Sequence, residues 1–444
     1  MPKYFLFYVT ILAAAHIYGA NPFITSIYTA DPSAHVWPDG RLYVYPSRDM
    51  DPPRGCDLMD HYHVFSTDNM VDWRDEGEIL NASQVAWGRK EGGFMWAPDA
   101  AYRNGAYYFY FPHPSGTHWN DTWKIGVATS TRPATDFKSV GYIPGAGGFA
   151  MIDPAVFTDT TGDAYLYYGG GGHCFGAKLK PDMVEIDGTP QPMMGLHDFH
   201  EATWVFKRNG TYYLTYADNH PKENEMEYAT SSRPLGPWTW HGAYLRPTGC
   251  DTTHGSVVEY KGHWYQFYHN EAISGKGNLR SMCVDLLNFN PDGTIQTVVQ
   301  TKQGPPAVGP ADAPPADAKI YGPELAATGN GAALVKDSAA STGEALENLH
   351  LNGSYVEWNR VHGGTGGRTT IAITYAARDN SKVRLEVNGQ DFSFINTVST
   401  GGWDHYSGHA ELTVSLQPGD ANRIKFTGGY GGENIDHLTV TPLH

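Results

Sequence analysis

Four acidic residues and one histidine each open a similar stretch of this 444-residue chain. Asp31 heads DPSAHVWPDGRLYVYP and Asp99 heads DAAYRNGAYYFYFP. Asp153 heads DPAVFTDTTGDAYLYYG, Glu201 heads EATWVFKRNGTYYLTYA, and His254 heads HGSVVEYKGHWYQFYH. Carboxyl groups crowded into one confined space shift one another's pKa. Burial and like charge keep some of them protonated, and a proton donor results. A protonated carboxyl facing an ionised carboxylate can hydrolyse a glycosidic bond. In inverting enzymes the two stand ~6.5–9.5 Å apart, leaving room for a water. Glu201 is the only glutamate among the heads and reaches furthest, which makes it the candidate acid. Asp31 is the candidate base that activates water. Asp153 is the candidate for holding Glu201 protonated by like-charge repulsion. Asp31 and Asp153 also precede proline, a common turn opening, so a single head carries little weight.

Residues so far apart can meet only if the fold gathers them. Each head is followed by a short apolar strand, a turn with glycine (Gly40, Gly105, Gly162, Gly210, Gly262) and an aromatic strand. That is a hairpin pattern. A third strand recurs in HVFSTDNMVDW, IGVATSTRPATDF and EYATSSRPLGPW. Units of about 50 residues with several strands read as propeller blades. Five units predict a five-bladed β-propeller, whose first strands line a central channel. The five heads should then converge at one mouth of that channel. No long stretch carries a helical period, so the fold class is all-β.

Composition agrees. Aromatic residues make up 13% of the chain and charged residues 18%. Aromatic faces stack on sugar rings. Lys+Arg 31 against Asp+Glu 47 leave a net charge of −16, which disfavours nucleic acid and anionic lipid as partners. Residues 1–20 read as a secretory signal with an apolar run from Phe5 to Ala15, too short to span a membrane. A secreted protein is expected, with no membrane partner. Sequons stand at Asn81, Asn120, Asn209 and Asn352. Four cysteines allow three full pairings and match no zinc spacing. His61 and His63 alternate on one strand and could bind a metal, although an outer-strand surface pair is the simpler expectation.

ADPSAHVW, WAPDAAY, IDPAVF, HEATWVF and HGSVV together resemble glycoside hydrolase family 43 over about residues 22–300. The resemblance implies Asp31 as general base, Asp153 as pKa modulator and Glu201 as general acid. It places His254 beside a calcium or other ion, often through water, with no cofactor required for the chemistry. It also implies that Arg280, in GNLRSM, approaches the substrate and that Trp96, in WAPD, lines the sugar subsite. The segments PPRGCDLMDHYH and NASQVAWGRKEGGF are expected to wall the pocket, which favours exo action. The expected activity is inverting release of terminal β-D-xylosyl and/or α-L-arabinofuranosyl residues from plant cell-wall xylan or arabinoxylan. The alternatives are a non-catalytic sugar-binding propeller, a retaining invertase-like propeller, or an arabinanase or galactanase specificity.

Residues 301–317, TKQGPPAVGPADAPPAD, read as a semi-rigid spacer that would reach about 50 Å if fully extended. Residues 318–444 alternate in TTIAITYAA, KVRLEVNG and ANRIKFTGG, a β-sandwich (jelly-roll) pattern. GSYVEWNRV, TIAITYAARDNSKVRLEVNG, STGGWDHYS and ENIDHLTV resemble a family 6 carbohydrate-binding module. The resemblance implies Trp403 as a stacking platform, Asn434 as its hydrogen-bonding neighbour, and Asp436 at a structural calcium. The usual Glu-x-Glu start is replaced by YGPELA, which removes part of that calcium's ligand set.

Overall fold

The computed structural model describes residues 19–51, 55–220, 223–312 and 315–443. The expected signal falls outside the described residues except for Gly19 and Ala20. Every named element is a strand or a short 3-10 turn. Among the described residues no helix is long and apolar enough to cross a membrane.

Five antiparallel meanders follow one another from residue 30 to residue 286. The first is β1 (Ala30–Val36), β2 (Leu42–Ser47), β3 (His61–Thr67) and β4 (Trp73–Asn81). The second is β5 (Asp99–Arg103), β6 (Ala106–Pro114), β7 (Trp123–Ser130) and β8 (Lys138–Gly148). The third is β9 (Ala155–Thr158), β10 (Ala164–Gly170), β11 (His173–Leu179) and β12 (Ile186–Pro192). The fourth is β13 (Phe199–Arg208), β14 (Thr211–Asp218), β15 (Met226–Ser231) and β16 (Thr239–Leu245). The fifth is β17 (Ser256–Tyr260), β18 (His263–Asn270) and β19 (Ser281–Leu286). The hairpins form where the sequence placed them. Asn104-Gly105, Asn209-Gly210 and Lys261-Gly262 all take positive φ at both turn positions, the geometry that matches strand twist in a two-residue loop. The first strand of each meander packs on the first strand of the next, and β17 packs on β1. Phe23 N donates to Met282 O and Thr29 N to Arg280 O, so residues 21–29 run beside β19.

The second unit has two antiparallel sheets. One contains β20 (Lys319–Tyr321), β22 (Ala333–Lys336), β23 (Glu344–Glu347), β25 (Gly367–Ala376), β28 (Gly408–Leu416) and β30 (Asn434–Pro442). The other contains β21 (Ala326–Gly329), β24 (Tyr355–Val361), β26 (Ser381–Val387), β27 (Gln390–Thr397) and β29 (Asn422–Thr427). Along β26, Val383, Leu385 and Val387 are buried while Arg384 and Glu386 are not, the period-two burial of a sheet covered on one face. Ile371, Ile373, Leu412 and Leu438 meet Val356, Trp358, Leu385 and Phe426 in one apolar core.

The proline-rich segment does not stand free as a spacer. Val308 N donates to Asn69 O, Asn69 Nδ2 donates to Pro310 O at 2.9 Å, and Asp312 N donates to Asp72 Oδ2 at 2.7 Å. Proline lacks an N–H, but its carbonyl still accepts, and the turn at Asn69 supplies the donor. The two units also dock directly. Thr413 N donates to Asp75 Oδ2 at 2.8 Å and Asn396 N donates to Ser26 O at 2.8 Å. Lys382 pairs with Asp51, and Arg48 bonds Ser393. A Cβ at Gly77 would lie 2.9 Å from the Thr413 methyl, so glycine is what lets β4 and β28 approach this closely. Cys174, Cys250 and Cys283 are buried free thiols.

Candidate active site

The innermost strands start with a backbone irregularity that turns acidic side chains inward. Asp31 and Asp153 take φ of 50° and 51°, both just before proline. Ala202, next to Glu201, takes 67°. The pairing of β1 with β2 shifts between Ala30 and Ser33, and the pairing of β13 with β14 shifts on both sides of Glu201. Positive φ is uncommon outside glycine, and residues that adopt it away from turns collect at functional sites.

Asp31, Asp153, Glu201 and His254 line one cavity of about 260 Å³. His254 Nδ1 lies 3.8 Å from Asp31 Oδ1 and 3.7 Å from Asp153 Oδ2. Trp96 and Arg280 line the same cavity. Met59, from the expected wall segment, lines it too, with Ile152, His200, Thr252 and Asn278. The fifth head is a correction to the sequence expectation. Asp99 faces a different cavity, with His35, Trp37 and Trp204. There its carboxylate accepts from Val156 N and sits 2.6 Å from His35 Nε2. The reason is register. The pairing of β5 with β6 is unbroken from Asp99 onward, so no bulge swings its side chain towards the pocket. Trp96 and Ala97, just upstream, take that place.

Arg280 reaches the pocket as expected, with its guanidinium engaged by protein acceptors. Its Nη1 donates to Asp31 Oδ1 at 2.9 Å and to Thr252 Oγ1 at 3.3 Å. Its Nη2 donates to Asp31 Oδ2 and Asp49 Oδ1, and its Nε to Asp49 Oδ2. A guanidinium has five N–H donors, and all five meet protein acceptors. Arg280 therefore holds carboxylates rather than offering free donors to a sugar. Asp49 was not foreseen from the sequence. It lies two residues beyond the end of β2, and its only mark is the Arg-Asp pair in PSRDMD.

The electrostatics separate the three carboxyls. Burial alone would raise Asp31, but Arg280, then His254 and His269, and the Ser47 hydroxyl bond hold it down to about 2. Asp153 is pushed well above the usual carboxylate range by burial, then by Glu201 and Asp31. Glu201 is also raised, by burial first, with Asp31 adding to it. Both carboxyls are thus biased towards the protonated form. Asp153 Oδ2 accepts the Ala202 N–H at 2.8 Å, which favours its ionised form. His269 Nδ1 accepts from Asp31 N, and its Nε2 donates to Thr252 O. That fixes a neutral ring, and burial lowers it to about 3. Burial likewise lowers His254 to about 4.

The residues around His254 do not form a calcium site by direct ligation. Calcium takes six to eight oxygens at about 2.3–2.6 Å. Here both Asp31 oxygens are taken by Arg280 and one Asp153 oxygen by Ala202 N, which leaves too few oxygens at this spot. Asp436 accepts from Ser341 through Oδ1 and meets His437 through Oδ2, so both its oxygens are engaged. His61, His63 and Glu78 do lie close enough together to share an ion. Both rings are buried at the docking face, not on an outer surface. Arg48 bonds His61 Nε2 and lies 3.4 Å from His63 Nε2, placing a cation where a metal would go.

In the second unit Trp403, Asn434, Arg378, Asn380 and Glu433 line a cleft. Trp403 is 38% exposed. Asn434 Nδ2 donates to Trp403 O at 3.0 Å. A Cβ at Gly432 would meet the Trp403 ring at 2.8 Å, so the ring lies directly on the loop.

Residues 20–295 match the model of glycosyl hydrolases family 43, and residues 324–442 match the carbohydrate binding module (family 6). A xylosidase/arabinosidase of Bacteroides ovatus is 35% identical over 324 residues, covering 61% of this chain and 95% of the relative. A solved β-xylosidase/α-arabinofuranosidase from a compost metagenome, in complex with xylotriose and in calcium-free form, aligns with TM-score 0.56 at 35% identity. That alignment covers 63% of this chain and 96% of the other. An arabinoxylan arabinofuranohydrolase of Bacillus subtilis, in complex with cellotetraose, aligns with TM-score 0.58 at 27% identity and covers 96% of this chain and 98% of its own. The chain thus belongs to glycosyl hydrolase family 43, is a glycoside hydrolase, and carries a family 6 carbohydrate binding module in residues 324–442.

Proposed function

We propose that this protein is a secreted, inverting exo-glycosidase that releases terminal β-D-xylosyl and/or α-L-arabinofuranosyl residues from xylan or arabinoxylan. The observation that carries this reading is the three-carboxyl pocket. Arg280 grips the Asp31 carboxylate at 2.9 Å, and Asp153 and Glu201, both biased towards protonation, line the same cavity. Its volume of about 260 Å³ falls below the ~300–1,000 Å³ of typical ligand pockets and suits one terminal ring. Relatives named xylosidase/arabinosidase and arabinoxylan arabinofuranohydrolase support the pentose specificity.

In this mechanism Glu201 gives its proton to the glycosidic oxygen as the C1–O bond breaks. Asp31 takes a proton from a water that attacks C1 from the opposite face. Asp153 is a positioning residue that keeps the proton on Glu201. Trp96 offers a ring face to the sugar. Trp403 and Asn434 hold a further sugar in the cleft. No step needs an ion at His254.

The architecture that supports this site is a five-bladed propeller over residues 21–300, a proline-rich segment over 301–317 and a jelly-roll over 318–444. Packing of β1, β5, β9, β13 and β17 in a ring supports the blade count. Residues 21–29 take the edge of the three-stranded fifth meander. Export rests on the apolar run near the start of the chain.

The test is purified protein against nitrophenyl β-xyloside, nitrophenyl α-L-arabinofuranoside and arabino-oligosaccharides, with proton NMR of the first-formed anomer. Release of either pentose with inverted configuration is expected. A retained configuration, or no release from any of them, would reject the reading.

A further inference from the structure

The turn that rims the sugar cleft also touches the wall of the active-site pocket. Residues 377–380 join β25 to β26. Within this turn Arg378 and Asn380 line the cleft, and the Arg378 guanidinium stands 5.6 Å from the Trp403 ring centre. Asn380 Nδ2 donates across the docking face to Ile273 O at 3.0 Å. Its Oδ1 accepts from Ser399 N at 2.9 Å, so the side chain is held from both ends.

Ile273 belongs to the loop between β18 and β19. Gly277 and Asn278 of that loop line the pocket with Asp31 and Glu201. The loop is internally braced. Gly275 N donates to Glu271 O, Leu279 N to Lys276 O, and Ser274 Oγ to Leu279 O at 2.7 Å. Chain length limits the separation of the two sites. Ile273 to Gly277 can reach at most about 14 Å, and Arg378 to Asn380 at most about 7 Å. The two rims therefore stand on the order of 30 Å apart or less, with the hydrogen bond and the Asn380 side chain included. The docking contacts of Thr413, Lys382 and Asn396 give the cleft a set position relative to the pocket.

We propose that pocket and cleft are two ends of one substrate site. This inference rests on the sugar-binding reading of both. The pocket takes the terminal pentose, and the cleft takes a ring several units along the same chain. The preferred substrate is then a soluble oligosaccharide, or chain end, long enough to span both. A docked second site raises effective concentration only for chains that reach it. Shorter chains gain nothing, so a length threshold follows.

The experiment measures kcat/KM of the full chain on its nitrophenyl glycoside and on oligosaccharides of increasing length bearing the same terminal pentose. Beyond the threshold length the ratio of oligosaccharide to nitrophenyl glycoside should rise about tenfold or more. Trp403→Ala should lower that ratio about tenfold. Lys382→Glu replaces the attraction to Asp51 by repulsion and leaves the proline-rich segment and the cleft intact. It should lower the ratio as well, with undocking read separately by small-angle X-ray scattering. If Lys382→Glu stays docked, Thr413→Arg forces a long side chain into the close contact with Gly77 and replaces it. A ratio independent of length overturns the proposal. So does a ratio that responds to Trp403→Ala but not to undocking, because the module then acts as an independent tether. Absence of cleavage of every glycoside would sink the functional reading instead, which keeps the two failures distinct.

Discussion

Arg280 Nη1 donates to Asp31 Oδ1 at 2.9 Å, across 249 positions of sequence. This contact holds Asp31 ionised, as the proposed base must be. Without it, burial would favour the protonated form of Asp31 and weaken it as an acceptor of a proton from water. Asp49 grips the other edge of the same guanidinium and fixes its plane.

Arg280→Lys keeps a charge but loses the planar fork. The Asp31 carboxyl should then titrate higher, and the acid limb of kcat/KM against pH should move up by about one unit. The same group contributes to folding. Its folded pKa is depressed to about 2, so its stabilisation is complete above about pH 4 and is lost as pH falls through about 2. An acid limb that does not move in Arg280→Lys would remove Arg280 from this role.

Asp31→Asn and Glu201→Gln should each lower kcat by about 10²–10⁴-fold, the usual contribution of a positioned acid or base. Steady-state rates on a nitrophenyl glycoside measure this. Circular dichroism and thermal unfolding confirm that each variant is folded. A loss below tenfold in either would end its assignment.

Asp153→Asn removes the carboxyl that the proposed mechanism uses to keep the proton on Glu201. The alkaline limb of the kcat/KM profile should move to lower pH, because Glu201 then ionises more easily. A purely structural role for Asp153 would lower activity at every pH and leave the limb in place.

Glu433→Gln tests the binding module. The Glu433 carboxyl is pushed up to about 7 by burial. Its Oε2 accepts from Ser381 and Thr397, and its Oε1 has no protein partner. An acid with a raised folded pKa binds more protons folded than unfolded. Stability is therefore lost as pH rises from about 4.5 through about 7, by up to about 3 kcal/mol. The glutamine variant should flatten that slope and unfold at higher temperature than the parent above pH 7. Thermal unfolding across pH checks it, and parallel pH curves for the two proteins would contradict the assignment.

Much of this was legible from neighbouring residues. Asn104-Gly105 and Asn209-Gly210 stand between apolar runs, and a two-residue turn with positive φ follows from local sterics. Alternation in KVRLEV sets which face of β26 is buried. The repeated heads pointed to Asp31, Asp153, Glu201 and His254, because a repeated unit carries its inward position to the same place each time. The same rule misplaced Asp99, since an unbroken β5 register and a bulged β1 look alike in sequence.

What local rules could not reach were pairings between distant strands. Asp49 and Arg280 lie 231 positions apart, and neither neighbourhood names the other. His269 fixed by Asp31, the docking of Thr413 on Asp75, and Asn380 on Ile273 belong to the same class. Residue type and spacing settle turns, strand faces and the kind of chemistry available. Which carboxyl is ionised, and where the sugar cleft stands relative to the pocket, depend on packing across the whole chain. Desolvation and partner charge exist only once those surfaces have met.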